Sequence, residues 1–379
     1  MSSVARILLK EETLDPSFVP PRLVRREKEL ELTLRRYREA LGKGLPYPLL
    51  LTGGVGSGKT ALARRLGTDL ARLEVLLAES VIYGDEYLDS VTTHLIYAGG
   101  KRLRPLLAVA SATSGQREAT REDLLGGVSL ELMHLASLYH DDVMDEAEVR
   151  RNVDSVNARY GNLIAIVAGD YLMARSAGIA ADLGTEVAGL MARTLAWLTR
   201  GQVSEVRTAF SVERTEDDYY EAIGGKTASL MSASCRVGGL TAHLASEQVE
   251  ALAEFGRCFG MIYQLRDDVL DVTATENQLG KPAGQDLAEG IYNLPTLFAL
   301  RDTTVGDELR SLLGAVLNDA DRERARKLVV ATDGVAQTIL AAQRFLDEAD
   351  AALAVLPEPA LREGFSSLIR SLLEDLPAV

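Results

Sequence analysis

The chain has 379 residues, a formal net charge of −14 and 47% hydrophobic residues. This composition excludes wholesale disorder, collagen and a disulfide-stapled small domain, and it makes a chain-wide nucleic-acid surface a poor candidate. Two cysteines, Cys235 and Cys258, provide no disulfide framework, so a reducing cytoplasm is the simplest compartment. The longest apolar run, 163–168, is shorter than a membrane-spanning helix requires, which leaves a peripheral contact with a membrane surface open.

The negative charge is unevenly distributed along the chain. Residues 1–68 carry 13 Lys+Arg and 7 Asp+Glu, net +6, whereas the remaining 311 residues carry 28 and 48, net −20. We therefore predict a boundary near residues 67–69, with a short appendage over 1–68 and the main domain over 69–379.

The appendage contains a Gly-x-x-x-x-Gly-Lys-Thr motif between a short apolar strand and a helical pattern. The motif matches the phosphate-binding P-loop, whose amides and lysine cradle phosphates and whose threonine meets Mg²⁺, at Gly53, Gly58, Lys59 and Thr60. Residues 18–67 resemble the opening of an AAA+ ATPase of the replication-initiator kind. The strands and acidic residue that complete such an ATPase do not fit before the main domain, so we do not expect ATP hydrolysis. An ATP- or DNA-binding module is an alternative confined to these residues.

The main domain is predicted to be almost all helix, because Ala, Leu, Glu and Arg dominate and apolar residues recur at spacings of three and four. Two strings in it, 140–152 and 263–273, each contain Asp-Asp-x-x-Asp. On a helix, residues i and i+4 share a face, so Asp141 with Asp145, and Asp267 with Asp271, present paired carboxylates. Oxygen ligands in this arrangement suit Mg²⁺, which completes its shell with water and substrate phosphates.

Cations that suit a phosphate accompany the first string. Arg150 and Arg151 are predicted two to three helical turns beyond Asp141. Upstream, Gly99 and Gly100 precede three cations at the start of a predicted helix, Lys101, Arg102 and Arg104. Flexible backbone followed by cations at a helix start is typical of a diphosphate cradle.

Six motifs together resemble the trans-isoprenyl diphosphate synthases, or polyprenyl synthetases, from about residue 70 to the C-terminus. They are GGKRLRP, the two aspartate motifs, GDYLMAR (169–175), GKTA (225–228) and GKPAGQDLAEG (280–290). The resemblance implies an all-α isoprenoid-synthase bundle with a central apolar tunnel. It also implies two to three Mg²⁺ ions, a homodimer, and no nucleic acid for this domain. The implied reaction is head-to-tail condensation of isopentenyl diphosphate with an allylic prenyl diphosphate.

The resemblance also implies roles for individual residues. Catalytic roles fall to Asp141, Asp145, Lys226, Asp267 and Asp271. The metal ligands are Asp141, Asp142, Asp145, Asp267, Asp268 and Asp271. Isopentenyl diphosphate is bound by Gly100, Lys101, Arg104, His134 and Arg151. The allylic diphosphate is bound by Arg150, Lys226, Thr227, Gln264 and Lys281.

Product length is predicted from the residues four and five positions before the first aspartate. Bulky residues there block the tunnel in the family, whereas this chain has Ala136 and Ser137, so we expect a long product. Tyr139 or a partner subunit could still shorten it. Ile291 stands where the family usually has a lysine, which should weaken allylic diphosphate binding somewhat.

Other functions remain as alternatives. They are a short-chain farnesyl or geranylgeranyl diphosphate synthase, a terpene cyclase or squalene-type synthase, and a regulatory subunit of a heteromeric synthase. GGKRLRP and the complete second aspartate motif argue against a cyclase, and the retained aspartates argue against a regulatory subunit.

Overall fold

The computed structural model describes residues 59–115, 117–275, 282–374 and 376–377, with the backbone alone for 59–68 and 115. The described chain is almost entirely helical, which confirms the all-α prediction. It divides into two compact units. The first contains the chain up to Leu183 together with residues 358–367, and the second contains 184–357 and 368–377.

The first unit is built around α5, which packs on α1, α4 and α7. Its elements are α1 (Lys59–Ser80), α2 (Glu86–Thr92), α3 (His94–Tyr97), α4 (Leu103–Ala112), α5 (Arg121–Met144), β1 (Val149–Arg150), β2 (Val153–Asp154), α6 (Val156–Tyr160) and α7 (Asn162–Asp182). The helix α17 (Pro359–Arg370) begins in this unit.

Local sequence explains where α5 begins and how closely it packs. Thr120 caps the helix and forms a capping box with Asp123, which satisfies backbone N–H groups of the first turn. At Gly127 a side chain would come within 2.8 Å of Leu73 on α1 and 3.3 Å of Pro105 on α4, so glycine permits the close approach of these helices.

Helix α1 is continuous across the predicted domain boundary. It begins at Lys59 and runs without interruption through residues 67–69 to Ser80. Gly53 and Gly58 of the P-loop-like motif lie outside the described residues, and Lys59 and Thr60 are described only as the first backbone positions of α1. Phosphate binding by this motif therefore stays a prediction.

The apolar run 163–168 and the motif GDYLMAR both lie in α7. Within the described residues, α7 is the one helix whose length and composition would suit a membrane span. Its best 18-residue window has a mean hydropathy of 1.4, and 39% of that window is buried. Leu163, Ile166 and Val167 leave an exposed apolar stripe at its start.

The second unit is organised around the 28-residue helix α11, which packs on α10 and α16. Its elements are α8 (Thr185–Thr208), α9 (Glu216–Ile223), a π-helical turn (Gly224–Ala228), α10 (Ser229–Thr241), α11 (Ser246–Thr273), α12 (Gln285–Ala288), α13 (Leu294–Ala299), α14 (Gly306–Leu312), α15 (Asp319–Val330) and α16 (Gly334–Leu353). Phe255 and Phe259 of α11 are fully buried and anchor the core of this unit.

Candidate active site

The first aspartate motif lies at the C-terminal end of α5. The helix ends at Met144, and the capping residue Asp145 donates its N–H to the carbonyl oxygen of Asp141 at 2.8 Å. The C-terminus of a helix carries partial negative charge, which adds to the charge of the carboxylates. This end of α5 therefore favours a bound cation.

Asp142, the middle aspartate of this motif, is buried and paired with Arg150. The Nε and Nη2 atoms of Arg150 lie 2.7 and 2.6 Å from Asp142 Oδ1. Burial raises the pKa of Asp142, and Arg150 opposes that shift. The sequence predicts Asp142 as a metal ligand and Arg150 as an allylic diphosphate ligand, whereas here the two engage each other. Asp142 Oδ2 has no hydrogen-bond partner in the described part of the chain.

The helical placement of Arg150 and Arg151 is wrong. Both follow the end of α5 and lie on or next to the β1–β2 ribbon, in which Arg150 pairs with Val153. The two connecting residues, Arg151 and Asn152, have φ angles of 54° and 63°. Positive φ at both central residues is typical of a tight hairpin turn. The side chains of the two arginines therefore point in other directions than they would on a continued helix.

Several of the cations expected to bind isopentenyl diphosphate surround His134 on α5. Burial, then the nearby guanidinium groups of Arg104 and Arg151, lower the pKa of His134 well below its usual value. The imidazole is therefore neutral at pH 7. Lys101 is exposed, and Arg104 is partly buried at the start of α4. An anion would be strongly favoured among so many positive charges.

Gly100 provides the close backbone approach that this cluster requires. Its φ is 154°, and a side chain there would come within 2.8 Å of Arg102 and 3.0 Å of Arg151. Glycine is thus needed both for its conformation and for the space occupied by the two guanidinium groups.

The residues predicted to set product length lie one to one and a half helical turns before the first aspartate motif. Ala136 is fully buried, and the partly buried Ser137 donates its hydroxyl hydrogen to the His134 carbonyl. Tyr139 is also buried, and its hydroxyl donates to the carbonyl oxygen of Val91 on α2 at 2.8 Å. Tyr139 is therefore held in one orientation by α2.

The second aspartate motif occupies the last two turns of α11. Asp267 is partly exposed, whereas Asp268 and Asp271 are buried. Asp268 accepts hydrogen bonds from the Tyr219 hydroxyl at 2.5 Å and from Gln264 Nε2 at 2.9 Å. Burial raises the pKa of Asp268 to about 7, against the effect of these two donors. The cluster thus also lies near a helix C-terminus, where a cation is favoured.

The chain returns to this cluster at α12. The backbone carbonyl oxygen of Asp271 accepts a hydrogen bond from the Gly284 N–H at 2.8 Å. Its carboxylate accepts one from the Asp286 N–H at 3.3 Å. Asp286 in turn accepts a hydrogen bond from Asn293 Nδ2. The backbone of Asp286 therefore lies against the Asp271 carboxylate. The motif GKPAGQDLAEG contains Asp286, but sequence reasoning assigned it no role.

Lys226 lies in the π-helical turn and pairs with a carboxylate that sequence reasoning missed. Its Nζ lies 2.5 Å from Oε1 of Glu205 on α8. Thr227 donates to Gln264, which connects the turn to the second aspartate motif. Lys281, the remaining predicted allylic diphosphate ligand, lies outside the described residues.

Two glycines allow α8 to approach this turn. A side chain at Gly201 would lie 2.4 Å from the backbone nitrogen of Lys226, and one at Gly225 would lie 2.6 Å from the Trp197 carbonyl oxygen. Short π-helical segments often occur at functional sites, because they redirect side chains out of the regular helical pattern. The turn and the two glycines together place Lys226 beside Glu205.

The model of the polyprenyl synthetase family matches residues 85–358. The chain belongs to this family. It is 38% identical over 325 residues to nonaprenyl diphosphate synthase of Mycobacterium tuberculosis, covering 85% of this chain and 97% of that protein.

Solved structures share the fold of this polyprenyl synthetase. A decaprenyl diphosphate synthase from Rhodobacter capsulatus superposes with a TM-score of 0.78 at 32% identity, covering 84% of this chain and all of the other. A polyprenyl synthase from Caulobacter crescentus, complexed with calcium and isoprenyl diphosphate, gives 0.77 at 29% identity, covering 85% and 98%.

Proposed function

We propose that this polyprenyl synthetase uses Mg²⁺ to condense isopentenyl diphosphate with an allylic diphosphate, giving a long, linear all-trans polyprenyl diphosphate. The observation that carries the proposal is that two helices, α5 and α11, each carry Asp-Asp-x-x-Asp at their C-terminal ends, with Asp145 as the cap of α5. A lone acidic helix end has many explanations. Two such ends in a chain of this family are best explained by metal-bound diphosphate.

The donors of each aspartate motif fit a hard divalent cation. All six motif residues offer carboxylate oxygens, and Asp142 keeps one buried oxygen without a hydrogen-bond partner among the described residues. The calcium in the Caulobacter structure supports a cation of this class. When bound, Mg²⁺ would neutralise the negative charge that develops on the departing diphosphate.

The protein's own side chains would bind and orient the two diphosphates. Lys226 would contact the allylic diphosphate and exchange its contact with Glu205 for one with phosphate oxygen. Lys101, Arg104 and the neutral His134 would hold isopentenyl diphosphate. The double bond of isopentenyl diphosphate then attacks the allylic cation, and the proton that is lost goes to the departing diphosphate. No side-chain nucleophile is needed.

Small side chains on α5 and the names of similar proteins both support a long product. Ala136 and Ser137 add little volume before the first motif, and Tyr139 is tied to α2. The Mycobacterium and Rhodobacter proteins are named as nonaprenyl and decaprenyl diphosphate synthases. We infer a product in the same long-chain range.

We further propose that the active form is a cytoplasmic homodimer. Leu163 and Val167 on α7 are 73% and 53% exposed, and Val203 and Val206 on α8 are 50% and 62% exposed. Apolar side chains so exposed along a helix favour an interface. Both cysteines are buried thiols, which is compatible with a reducing compartment. Light scattering of the purified chain tests the oligomeric state, and a monomer would contradict it.

The decisive experiment incubates the purified full chain with Mg²⁺, labelled isopentenyl diphosphate and farnesyl or geranylgeranyl diphosphate, followed by chain-length analysis. We expect products elongated by several isoprene units and no reaction when EDTA replaces Mg²⁺. Absence of elongation by the chain alone would contradict the homomeric enzyme. Elongation of farnesyl diphosphate by a single unit, to a four-unit product, would instead support a short-chain synthase.

A further inference from the structure

Arg102, the middle cation of GGKRLRP, is buried inside the first unit. Its residue is 3% exposed and has a φ of 49°, a left-handed conformation that non-glycine residues seldom adopt. Such a conformation persists where contacts with the surrounding structure stabilise it. In Arg102 the contacts of the guanidinium group provide this stabilisation.

All five N–H donors of Arg102 are already engaged. The Nε and Nη2 atoms form a two-pronged pair with Glu74 of α1. The Nη1 atom donates to Glu131 of α5 at 2.9 Å and to the Gly99 carbonyl at 3.3 Å. The second donor of Nη2 goes to the Ile96 carbonyl at 2.9 Å. A guanidinium has five donors in a fixed plane, so Arg102 cannot bind a diphosphate without breaking one of these contacts.

Arg151 supports the same stretch of backbone. Its Nη1 donates to the carbonyl oxygens of Leu95 and Gly99, and its Nη2 lies 3.9 Å from Glu131. The two arginines therefore cap carbonyl groups at the C-terminal end of α3 and at the Gly99 turn, just before Lys101. Cations at a helix C-terminus satisfy carbonyls that have no partner within the helix.

We propose that Arg102 is a positioning residue, held by Glu74 and Glu131, that fixes the Gly99–Gly100 turn so that Lys101 and Arg104 meet isopentenyl diphosphate. The inference rests on the proposed function. It separates the three cations of the motif into two ligands and one support. It also assigns a role to Glu74, which lies 28 residues before Arg102 on a different helix.

The test is Glu74→Gln, which keeps the shape of the side chain but removes the charge that holds Arg102. We expect the KM for isopentenyl diphosphate to rise about tenfold, as loss of a charge-assisted hydrogen bond implies. The kcat and the KM for the allylic substrate should stay within about twofold, since the second aspartate motif is untouched. Calorimetric titration with isopentenyl diphosphate alone should show the same loss of affinity.

Two further variants make the result specific. Arg102→Lys keeps the charge but cannot make five contacts, so it should raise the same KM at least as much. Glu79→Gln, on the exposed side of the same helix, should leave all parameters unchanged. A folded Glu74→Gln protein with wild-type isopentenyl diphosphate affinity would overturn the inference, as would an equal rise in both KM values. A wild-type chain that transfers no isopentenyl group would contradict the proposed function instead, and calorimetry would then still test Arg102.

Discussion

The hydroxyl of Tyr219 donates a 2.5 Å hydrogen bond to Oδ2 of Asp268, and both side chains are buried. Arg214 lies behind this pair, with its guanidinium carbon 5.6 Å from the centre of the Tyr219 ring. Gln264 binds the other carboxylate oxygen. Asp268 is therefore oriented by α9 as well as by its own helix.

We expect Tyr219→Phe to raise the Mg²⁺ concentration needed for half-maximal activity, because Asp268 loses one of its two orienting donors. The free energy of unfolding should fall by about 1–3 kcal/mol, the usual cost of removing a partner from a buried acceptor. A Mg²⁺ titration at saturating substrates measures the first effect, and urea unfolding measures the second. Tyr220→Phe, at the half-buried neighbouring ring, is the matched control. An unchanged Mg²⁺ requirement in Tyr219→Phe would show that the hydroxyl does not orient the site.

The aspartate clusters predict a large loss of turnover. Asp141→Asn and Asp267→Asn should each lower kcat at least about 100-fold, because charge on the departing diphosphate is no longer neutralised. The circular dichroism spectrum should remain that of the wild type. Asp182→Asn, at an exposed carboxylate at the other end of α7, should retain full activity. Substantial turnover in either cluster variant would remove that cluster from the metal assignment.

The proposal that Ala136 and Ser137 permit a long product can be tested by adding volume at Ser137. Ser137→Phe should shorten the product by several isoprene units, because an aromatic ring would occupy space that Ser137 leaves. Ser137→Ala removes the hydroxyl without adding volume and should keep the wild-type length. Thin-layer or mass-spectrometric analysis of the dephosphorylated products measures both. Equal lengths in all three proteins would place the length determinant elsewhere.

The approach of α8 to the π-helical turn predicts a cost for added volume. Gly201→Ala would place a carbon 2.4 Å from the backbone nitrogen of Lys226 and 2.7 Å from the Ala222 carbonyl oxygen. We expect a destabilisation of about 1–3 kcal/mol, typical of overpacking, together with a raised KM for the allylic substrate. Gly189→Ala on the same helix meets only the flexible end of Arg193 at 3.2 Å and should be neutral or slightly stabilising. If both variants behaved alike in thermal unfolding, the close contact at Gly201 would be unimportant.

We expect the buried thiol of Cys258 to make the free energy of unfolding fall at alkaline pH. Burial raises the pKa of its thiol to about 12, whereas an unfolded chain has a thiol pKa of about 8.5. The folded state holds the thiol proton more strongly than the unfolded state. The buried thiol's contribution to the free energy of unfolding is therefore complete below about pH 8.5 and is lost as the pH rises towards 12. The loss is at most about 1.4 kcal/mol per pH unit. Cys258→Ala should lower stability at neutral pH but flatten its decline above pH 8.5, as urea unfolding at several pH values would show. Parallel declines in the two proteins would contradict this assignment.

Sequence predicted the parts of the site that depend on short-range spacing. Paired carboxylates at i and i+4 follow from helix geometry, so the clusters at Asp141 and Asp267 could be located without coordinates. The end of α5 at Met144 was not anticipated, because the hairpin turn at Arg151 and Asn152 has only a weak local signal. Asparagine tolerates positive φ, but arginine gives no such indication.

Long-range partners could not be predicted in the same way. Glu205 and Lys226 are 21 residues apart, and Tyr219 and Asp268 are 49 residues apart. The sequence contains many other carboxylates and tyrosines and does not distinguish these partners from them. Only the packing of α8, α9 and α11 brings these pairs together. The available signal was a glycine within a helical segment, such as Gly201. Glycine is unfavourable inside a helix, so its presence there indicates close packing against another element.

The continuity of α1 affects how the appendage can be removed. A truncation at residue 68 would cut the helix after ten of its 22 residues and leave Asp69 as a new, fraying N-terminus. Glu74 lies less than two turns from that end, so fraying would loosen its hold on Arg102. Such a shortened enzyme would lose isopentenyl diphosphate affinity for a purely mechanical reason, which could be mistaken for a regulatory role of the P-loop-like segment. Truncation at residue 58 keeps every described residue of α1.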